Sequence, residues 1–185
     1  MDLVAQFQVL ARYNSWMNRR LYDVAGTLSD DERTRDLGAF FGSVHGTLNH
    51  LLLADRAWLY RFTRDPAVGA SRDANGSVIE IRSLDQILYR EFETLRRERG
   101  RTDADTERWA DALDAVALGK PLTYRSMQQG RRYEQPLWCM VTHFFNHQTH
   151  HRGQVTTLLK QLGRDPGVTD LAAMLRGDGD AGATP

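Results

Sequence analysis

The chain is 185 residues long, 41% hydrophobic and 26% charged, which is typical of one folded domain and excludes an intrinsically disordered protein. Lysine plus arginine equals aspartate plus glutamate at 24 each, so no net charge attracts nucleic acid or an anionic membrane surface. A lone cysteine, Cys139, excludes an internal disulfide, and no segment reaches the roughly 20 apolar residues of a membrane span. The first ten residues do not resemble a secretory leader, so we expect a cytoplasmic protein.

The first predicted helix runs from about Leu3 to Leu28. Apolar side chains recur along it in alternating steps of four and three residues, a pattern typical of a helix in a bundle. Asn14 interrupts this apolar face, and Asn18 lies one turn further on. The two amides either form hydrogen bonds with a neighbouring helix or line a ligand site, and the sequence leaves both interpretations open.

The next two predicted helices are separated by a long loop. The second helix runs from about Gly42 to Thr63, and the polar, glycine-containing stretch 65–77 is predicted to be a connection. Ser83 is predicted to be the N-cap of the third helix, because Gln86 three residues later completes a capping box. This helix is predicted to continue to about Leu113.

A small hairpin is predicted before the last long helix. Leu122 to Met127 and Arg131 to Glu134 are short extended segments with a glycine-containing turn between them. Pro136 suits the first turn of a fourth long helix, which is predicted to end at Gly163.

Four long amphipathic helices predict an all-α protein, specifically a four-helix bundle with a short hairpin before the last long helix. A further short helix is predicted over 168–175. We expect one domain over residues 1–176, followed by a disordered tail over 177–185.

Histidine is concentrated in the fourth helix, where four of the six histidines of the chain fall within nine residues. Residues four apart on a helix lie on one face about 6 Å apart, so two imidazoles at this spacing can bind one ion. His147 and His151 have this spacing and interrupt the apolar face of the helix. His143 and His147 have it too, so the spacing alone does not exclude that pair. His150 lies about 100° around the helix from His151 and is not assigned to the site.

The third ligand must come from another helix, and the remaining candidates are His45 and His50. His50 is favoured because Gly46 and Ala54, four residues before and after it, would allow the helices to approach closely. A zinc-protease site is excluded, because the position of the catalytic glutamate in that motif is occupied by Gln148, and an amide cannot accept a proton. The sequence therefore predicts a divalent metal site with three histidine ligands.

Four segments resemble the DinB family. They are residues 13–18, 49–58, 123–128 and 146–154, which together extend over nearly the whole chain. The specific part of the resemblance is the combination of Asn-His in the second segment with His-Arg-Gly-Gln in the fourth. The resemblance implies a four-helix bundle of the DinB and YfiT-like type, often a homodimer.

The resemblance also implies a metal such as Zn or Ni on three histidines, which correspond here to His50, His147 and His151. The family is similar to mycothiol-dependent maleylpyruvate isomerases and bacillithiol transferases, which use this site to handle thiol cofactors. We therefore expect a metal-dependent enzyme, either a hydrolase or a thiol-dependent S-transferase, with a small-molecule substrate and a low-molecular-weight thiol as possible co-substrate.

The candidate substrate-binding residues are Asn14, Asn18, Tyr124 and His143, and the sequence identifies no general base. Two alternatives stay open. One is a non-catalytic metal-binding dimer of the stress response, and the other is a helical bundle without an ion.

Overall fold

The computed structural model describes residues 2–127 and 129–177. Four of the helices in this part of the chain have 20 or more residues. They are α1 Leu3–Gly26, α3 Val44–Thr63, α5 Phe92–Asp111 and α7 Leu137–Gln161. The shorter elements are α2 Asp30–Thr34, α4 Pro66–Gly69, α6 Ala115–Gly119, β1 Pro121–Arg125, β2 Arg132–Pro136 and α8 Leu171–Arg176.

The fold is mainly helical with one small antiparallel sheet of β1 and β2. Leu122 pairs with Gln135 in this sheet, and Tyr124 pairs with Tyr133. The predicted predominance of helix and the predicted hairpin are therefore confirmed. Among the described residues, no helix combines the length and the apolar character that crossing a membrane requires.

Two of the long helices, α1 and α3, begin where short polar side chains satisfy their first backbone N–H groups. Asp2 accepts hydrogen bonds from Val4 and Ala5 at the start of α1, and Ser43 accepts one from Gly46 at the start of α3. Such side chains replace the intrahelical partners that the first turn lacks.

Each long helix packs against two others. α1 contacts α5 and α7, and α3 contacts the same two helices. The buried apolar side chains form two clusters, one around Leu21, Leu52 and Leu159 and the other around Phe7 and Phe144. The contact between α3 and α7 brings together the helices that carry the predicted metal ligands.

The predicted start of the third long helix is wrong, because α5 begins at Phe92 and not near Ser83. The backbone before α5 forms hydrogen bonds with α3 instead of with itself. The Tyr89 carbonyl accepts from His45 Nε2 at 2.9 Å, and the Tyr89 N–H donates to Asn49 Oδ1 at 2.9 Å. These tertiary bonds satisfy groups that a helix would otherwise pair locally.

Two other differences concern connections. The predicted loop over 65–77 contains the short helix α4. Gly177 ends α8 with φ 76°, and residues 178–185 of the predicted disordered tail lie outside the described residues.

Candidate metal centre

Three imidazoles converge where α3 packs on α7. His147 Nε2 lies 3.3 Å from His50 Nε2 and 3.2 Å from His151 Nε2. The potential ligand atoms of the three side chains all lie within 4.8 Å of one another. Nitrogens bound about 2.0 to 2.1 Å from one tetrahedral ion lie about 3.3 to 3.4 Å apart. The two separations at His147 match these values, and the triad could therefore hold a metal ion.

The other ring nitrogens of two of these histidines are held by oxygen atoms. His50 Nδ1 donates to the Leu84 carbonyl at 2.8 Å, and His151 Nδ1 donates to Gln154 Oε1 at 2.8 Å. Because each neutral imidazole carries one proton, these bonds place it on Nδ1 and leave a lone pair on Nε2.

Two lone pairs therefore face His147 Nε2, which can donate at most one proton. At least one lone pair stays unsatisfied unless a cation lies among the three rings. This arrangement fits a bound divalent ion better than a set of core histidines.

The electrostatic surroundings keep these rings neutral. Burial and, to a lesser extent, the neighbouring imidazoles lower the pKa of His147 to about 3. Burial also lowers the pKa of His50 to about 4, although the hydrogen bond with Leu84 acts in the opposite direction. Neutral imidazoles are the form that binds metals, so the site is prepared for a cation at neutral pH.

Phe41 holds one ring of the triad in place. Its ring stacks on His50 with centroids 3.7 Å apart and contacts His151 edge-on at 5.4 Å. Gly46 makes room for this segment, since a Cβ there would lie 2.2 Å from the Phe41 carbonyl oxygen. Glycine at position 46 therefore allows the backbone of Phe41 to lie directly against the first turn of α3.

The other histidines have different surroundings. His143 is not part of the convergent group, and its ring contacts Trp58 edge-on at 5.1 Å. His150 is exposed and lies 3.3 Å from Gln154 Nε2. His45 binds the Tyr89 carbonyl. The geometry therefore favours the ligand set of His50, His147 and His151, which is the set preferred in the sequence analysis.

Sequence comparisons identify the family of the chain. The profile of the DinB family matches residues 3–181. The chain belongs to the DinB family. A protein of Bacillus subtilis (strain 168), Protein DinB, is similar to it, with 25% identity over 172 residues that cover 90% of this chain and 91% of that protein. No solved structure matches the chain.

In this DinB-family chain a cavity of about 360 Å³ opens onto His50 and His147. Two of the predicted substrate-binding residues, Tyr124 and His143, line it. The remaining lining side chains come from α3, the hairpin and the segment before α5, and they are Ala54, Ala57, Trp58, Arg61, Leu84, Ser126, Met127, Gln129 and Tyr133.

The other two predicted substrate-binding residues lie elsewhere. Asn14 and Asn18 are buried and donate to Asp103 Oδ1, at 3.3 and 2.8 Å. Neither lines the cavity beside the histidines. Their environment matches the first of the two interpretations left open by the sequence, an amide bonded to a neighbouring helix.

A larger cavity of about 760 Å³ lies between α5 and the segment that follows α3. It contains none of the three convergent histidines, and its Arg56 and Glu98 already form an ion pair at 2.7 Å. We therefore take the smaller cavity as the candidate functional site, because the nitrogen lone pairs of the triad that lack a hydrogen-bond donor converge beside it.

Several residues of the site were missed by the sequence analysis. Gln154 follows His151 by one helical turn, and Arg61 follows His50 by three turns on the same face of α3, so helical spacing could have indicated both. Phe41 and Leu84 carry no such signal, because only the folded chain brings them to His50.

Proposed function

We propose that this chain is a metal-dependent enzyme that transfers a low-molecular-weight thiol to an electrophilic small molecule. The observation that carries the proposal is the cavity of about 360 Å³ beside His50 and His147. A closed structural metal site would be sealed by side chains, whereas a catalytic site needs access for a substrate. The volume is within the range of small-molecule sites.

The proposed cofactor is Zn or Ni, because imidazole suits both ions. When bound by His50, His147 and His151, such an ion would lower the pKa of a thiol that reaches it and so supply a thiolate. Three protein ligands would leave at least one coordination position of such an ion free for a substrate. The cavity lined by His50 and His147 gives a small molecule access to these ligands.

The surrounding side chains would hold the reactants. Trp58, Tyr124 and Met127 provide apolar surface that packs against the substrate and excludes water, and His143 lies next to His147 with ring centroids 5.9 Å apart. In the reaction a sulfur–carbon bond forms, the leaving group departs from the electrophile, and the proton of the thiol passes to solvent.

A hydrolase is the second candidate from the sequence, and the cavity lining favours the transferase. Hydrolysis needs a base that accepts a proton from water, and the described cavity lining offers the His143 imidazole for this role but no aspartate or glutamate. Attack by a thiolate needs no further base once the thiol has ionised.

We also propose that the four long helices form a single four-helix bundle over residues 1–176, since each packs against two others. The protein is proposed to be a cytoplasmic homodimer. Phe40, which is 83% exposed beside Phe41, provides apolar surface for such contact. Sedimentation equilibrium of wild type and Phe40→Ser tests the dimer, because a monomer at all concentrations contradicts it.

The first test is metal content after purification in buffers without chelator. We expect about one Zn or Ni per chain in the wild type and less than about one tenth of that in His147→Ala. His150→Ala is the matched control, because it removes an exposed imidazole from the same helix and should leave the content unchanged. An absence of metal in the wild type would remove the basis of the proposal.

The second test is turnover with a panel of small thiols and chlorodinitrobenzene, followed by its absorbance. We expect activity that requires the metal and is lost in His147→Ala. Full metal content without turnover of any thiol would favour the non-catalytic metal-binding module, and hydrolysis of activated esters without thiol transfer would favour the hydrolase.

A further inference from the structure

Arg61 lines the same cavity as His50 and His147. Its guanidinium lies 4.4 Å from the centre of the Trp58 ring and 5.6 Å from that of Tyr124. Stacking on two aromatic faces holds the planar head group within the cavity wall. Arg61 is therefore a positioned cation and not a freely moving surface side chain.

Its charge is not neutralised by the protein. Among the described residues, Arg61 donates a hydrogen bond from Nη2 to the Arg125 carbonyl oxygen, at 3.3 Å. No carboxylate of the described part of the chain lies within 4.0 Å of its nitrogens. A guanidinium has five N–H donors in a planar fork, so most of them are available to a ligand.

The rest of the cavity is also free of negative charge. Its described lining contains three imidazoles and Arg61 but neither aspartate nor glutamate. Burial lowers the pKa of Arg61, and no carboxylate opposes this effect, although a guanidinium stays protonated at neutral pH. An anionic ligand would supply the missing partner, and a carboxylate fits the fork with two parallel hydrogen bonds.

We propose that Arg61 binds a carboxylate of the substrate, so that the cavity selects carboxylate-bearing small molecules with an apolar or aromatic body. This inference rests on the proposed function, since it places the reacting atom of the same molecule at the histidines. Trp58 and His143 lie in contact along the wall between the two ends. A spacer of several atoms therefore separates the carboxylate from the reacting atom.

Calorimetric titration with phenylpropionate and with phenylpropanol, its neutral counterpart, tests the carboxylate contact. We expect wild-type protein to bind phenylpropionate about ten-fold to one hundred-fold more tightly than phenylpropanol. Arg61→Met keeps an apolar stem against Trp58 and Tyr124 and should bind the two compounds equally. Arg61→Gln, which keeps a polar head, should give the same result.

Arg64→Gln is the matched control, because it removes a guanidinium one turn away that lines a different cavity and donates to the Thr123 carbonyl. It should keep the full preference for phenylpropionate. Equal binding of the two compounds by wild type would overturn the proposal. An undiminished preference in both Arg61 variants would also overturn it, since the carboxylate would then bind the ion or another group.

A second titration distinguishes a carboxylate on the thiol from one on the electrophile. Mercaptohexanoate and mercaptohexanol are added to the cobalt-loaded protein, and binding is followed by the thiolate-to-cobalt absorption band. Tighter binding of mercaptohexanoate that depends on Arg61 assigns the carboxylate to the thiol. Equal binding of the two thiols, with the preference for phenylpropionate retained, assigns it to the electrophile.

The two proposals fail in different ways. A protein that takes up no metal contradicts the proposed function, while calorimetry with phenylpropionate still decides the role of Arg61. A protein that binds metal and transfers thiols without any preference for carboxylates contradicts the role of Arg61 alone.

Discussion

At the residue scale, the hydrogen bond from His151 Nδ1 to Gln154 Oε1 fixes which nitrogen of His151 is available to an ion. Partners of this kind orient metal-bound histidines and raise their basicity. Gln154→Met should therefore weaken zinc binding by about 10- to 100-fold while the fold is retained. Competition with a chelator of known affinity measures the change.

Lys160→Met serves as the control, since Lys160 is an exposed residue of the same helix. An unchanged zinc affinity in Gln154→Met would show that this amide does not orient His151.

The low pKa values of the triad predict how the metal-free protein responds to acid. The folded-state pKa of His147 is about 3 and that of His50 about 4, both below the ordinary value of 6.5. The unfolded chain therefore binds more protons below pH 6.5. The stability that the neutral His50 and His147 rings contribute to the folded state is fully present above about pH 6.5 and is lost as the pH falls towards about 4.

Asp103 acts in the opposite sense, because burial raises its pKa from 3.8 to about 6. Comparison with His147→Gln separates the two effects, since Asp103 is common to both proteins. Urea unfolding of the metal-free proteins should show a steeper loss of stability in wild type than in His147→Gln between about pH 6.5 and 4. The exposed His150, replaced by Gln, should leave the slope unchanged, and equal slopes in all three proteins would contradict the prediction.

At the scale of elements, the start of α3 and the turn before it position the triad. A Cβ on residue 46 would lie 2.2 Å from the Phe41 carbonyl oxygen, and the Phe41 ring stacks on His50. Gly46→Ala should therefore destabilise the protein by about 1 to 3 kcal/mol and also weaken zinc binding. The clash outweighs the gain of about 0.5 to 1 kcal/mol that alanine brings to a helix.

Gly100→Ala is the matched control in α5, because a Cβ there has no atom within 4 Å. It should be neutral or stabilising by up to about 1 kcal/mol. Urea unfolding measures the stability of both variants, and chelator competition measures their zinc affinity. A Gly46→Ala protein as stable as Gly100→Ala would show that the turn around Phe41 can move to make room for a Cβ.

At the scale of the whole molecule, a buried ionic cluster joins the long helices. Arg99 of α5 binds Asp55 of α3 at 2.6 Å and Asp103 at 2.8 Å, and all three are at most 5% exposed. Asn14 of α1 donates to Asp103 and accepts from Arg152 of α7. Each buried charge of this cluster is compensated by the opposite charge beside it and not by water. Removal of one charged side chain therefore leaves its partners buried without compensation.

Arg99→Met should therefore reduce the free energy of unfolding by about 3 to 5 kcal/mol, measured by urea at neutral pH. Arg96→Met, which breaks the exposed ion pair with Asp23, should cost less than about 1 kcal/mol. Similar losses in the two variants would show that the cluster is not held as described.

Local patterns predicted much of this structure. Helical periodicity located α1, α3 and α7 within a few residues of their observed ends. A spacing of four residues allowed two histidine pairs on α7, and the structure brings the pair of His147 and His151 together with His50. The start of α5 was wrong because Tyr89 and its neighbours bond to α3, and a capping-box pattern cannot report a distant partner. The role of Asn14 was left open for the same reason, since Asp103 is 89 residues away.

The sequence by itself determined the family, the helical character and a preferred set of three histidines, because these depend on residue type and on spacing along one helix. The tertiary structure decided which ring nitrogens carry protons, that Arg61 shares a cavity with the triad, and that the buried amides bind an ionic cluster. Those properties depend on contacts between residues far apart in the chain, and only the packing of the helices brings them within a few ångströms of one another.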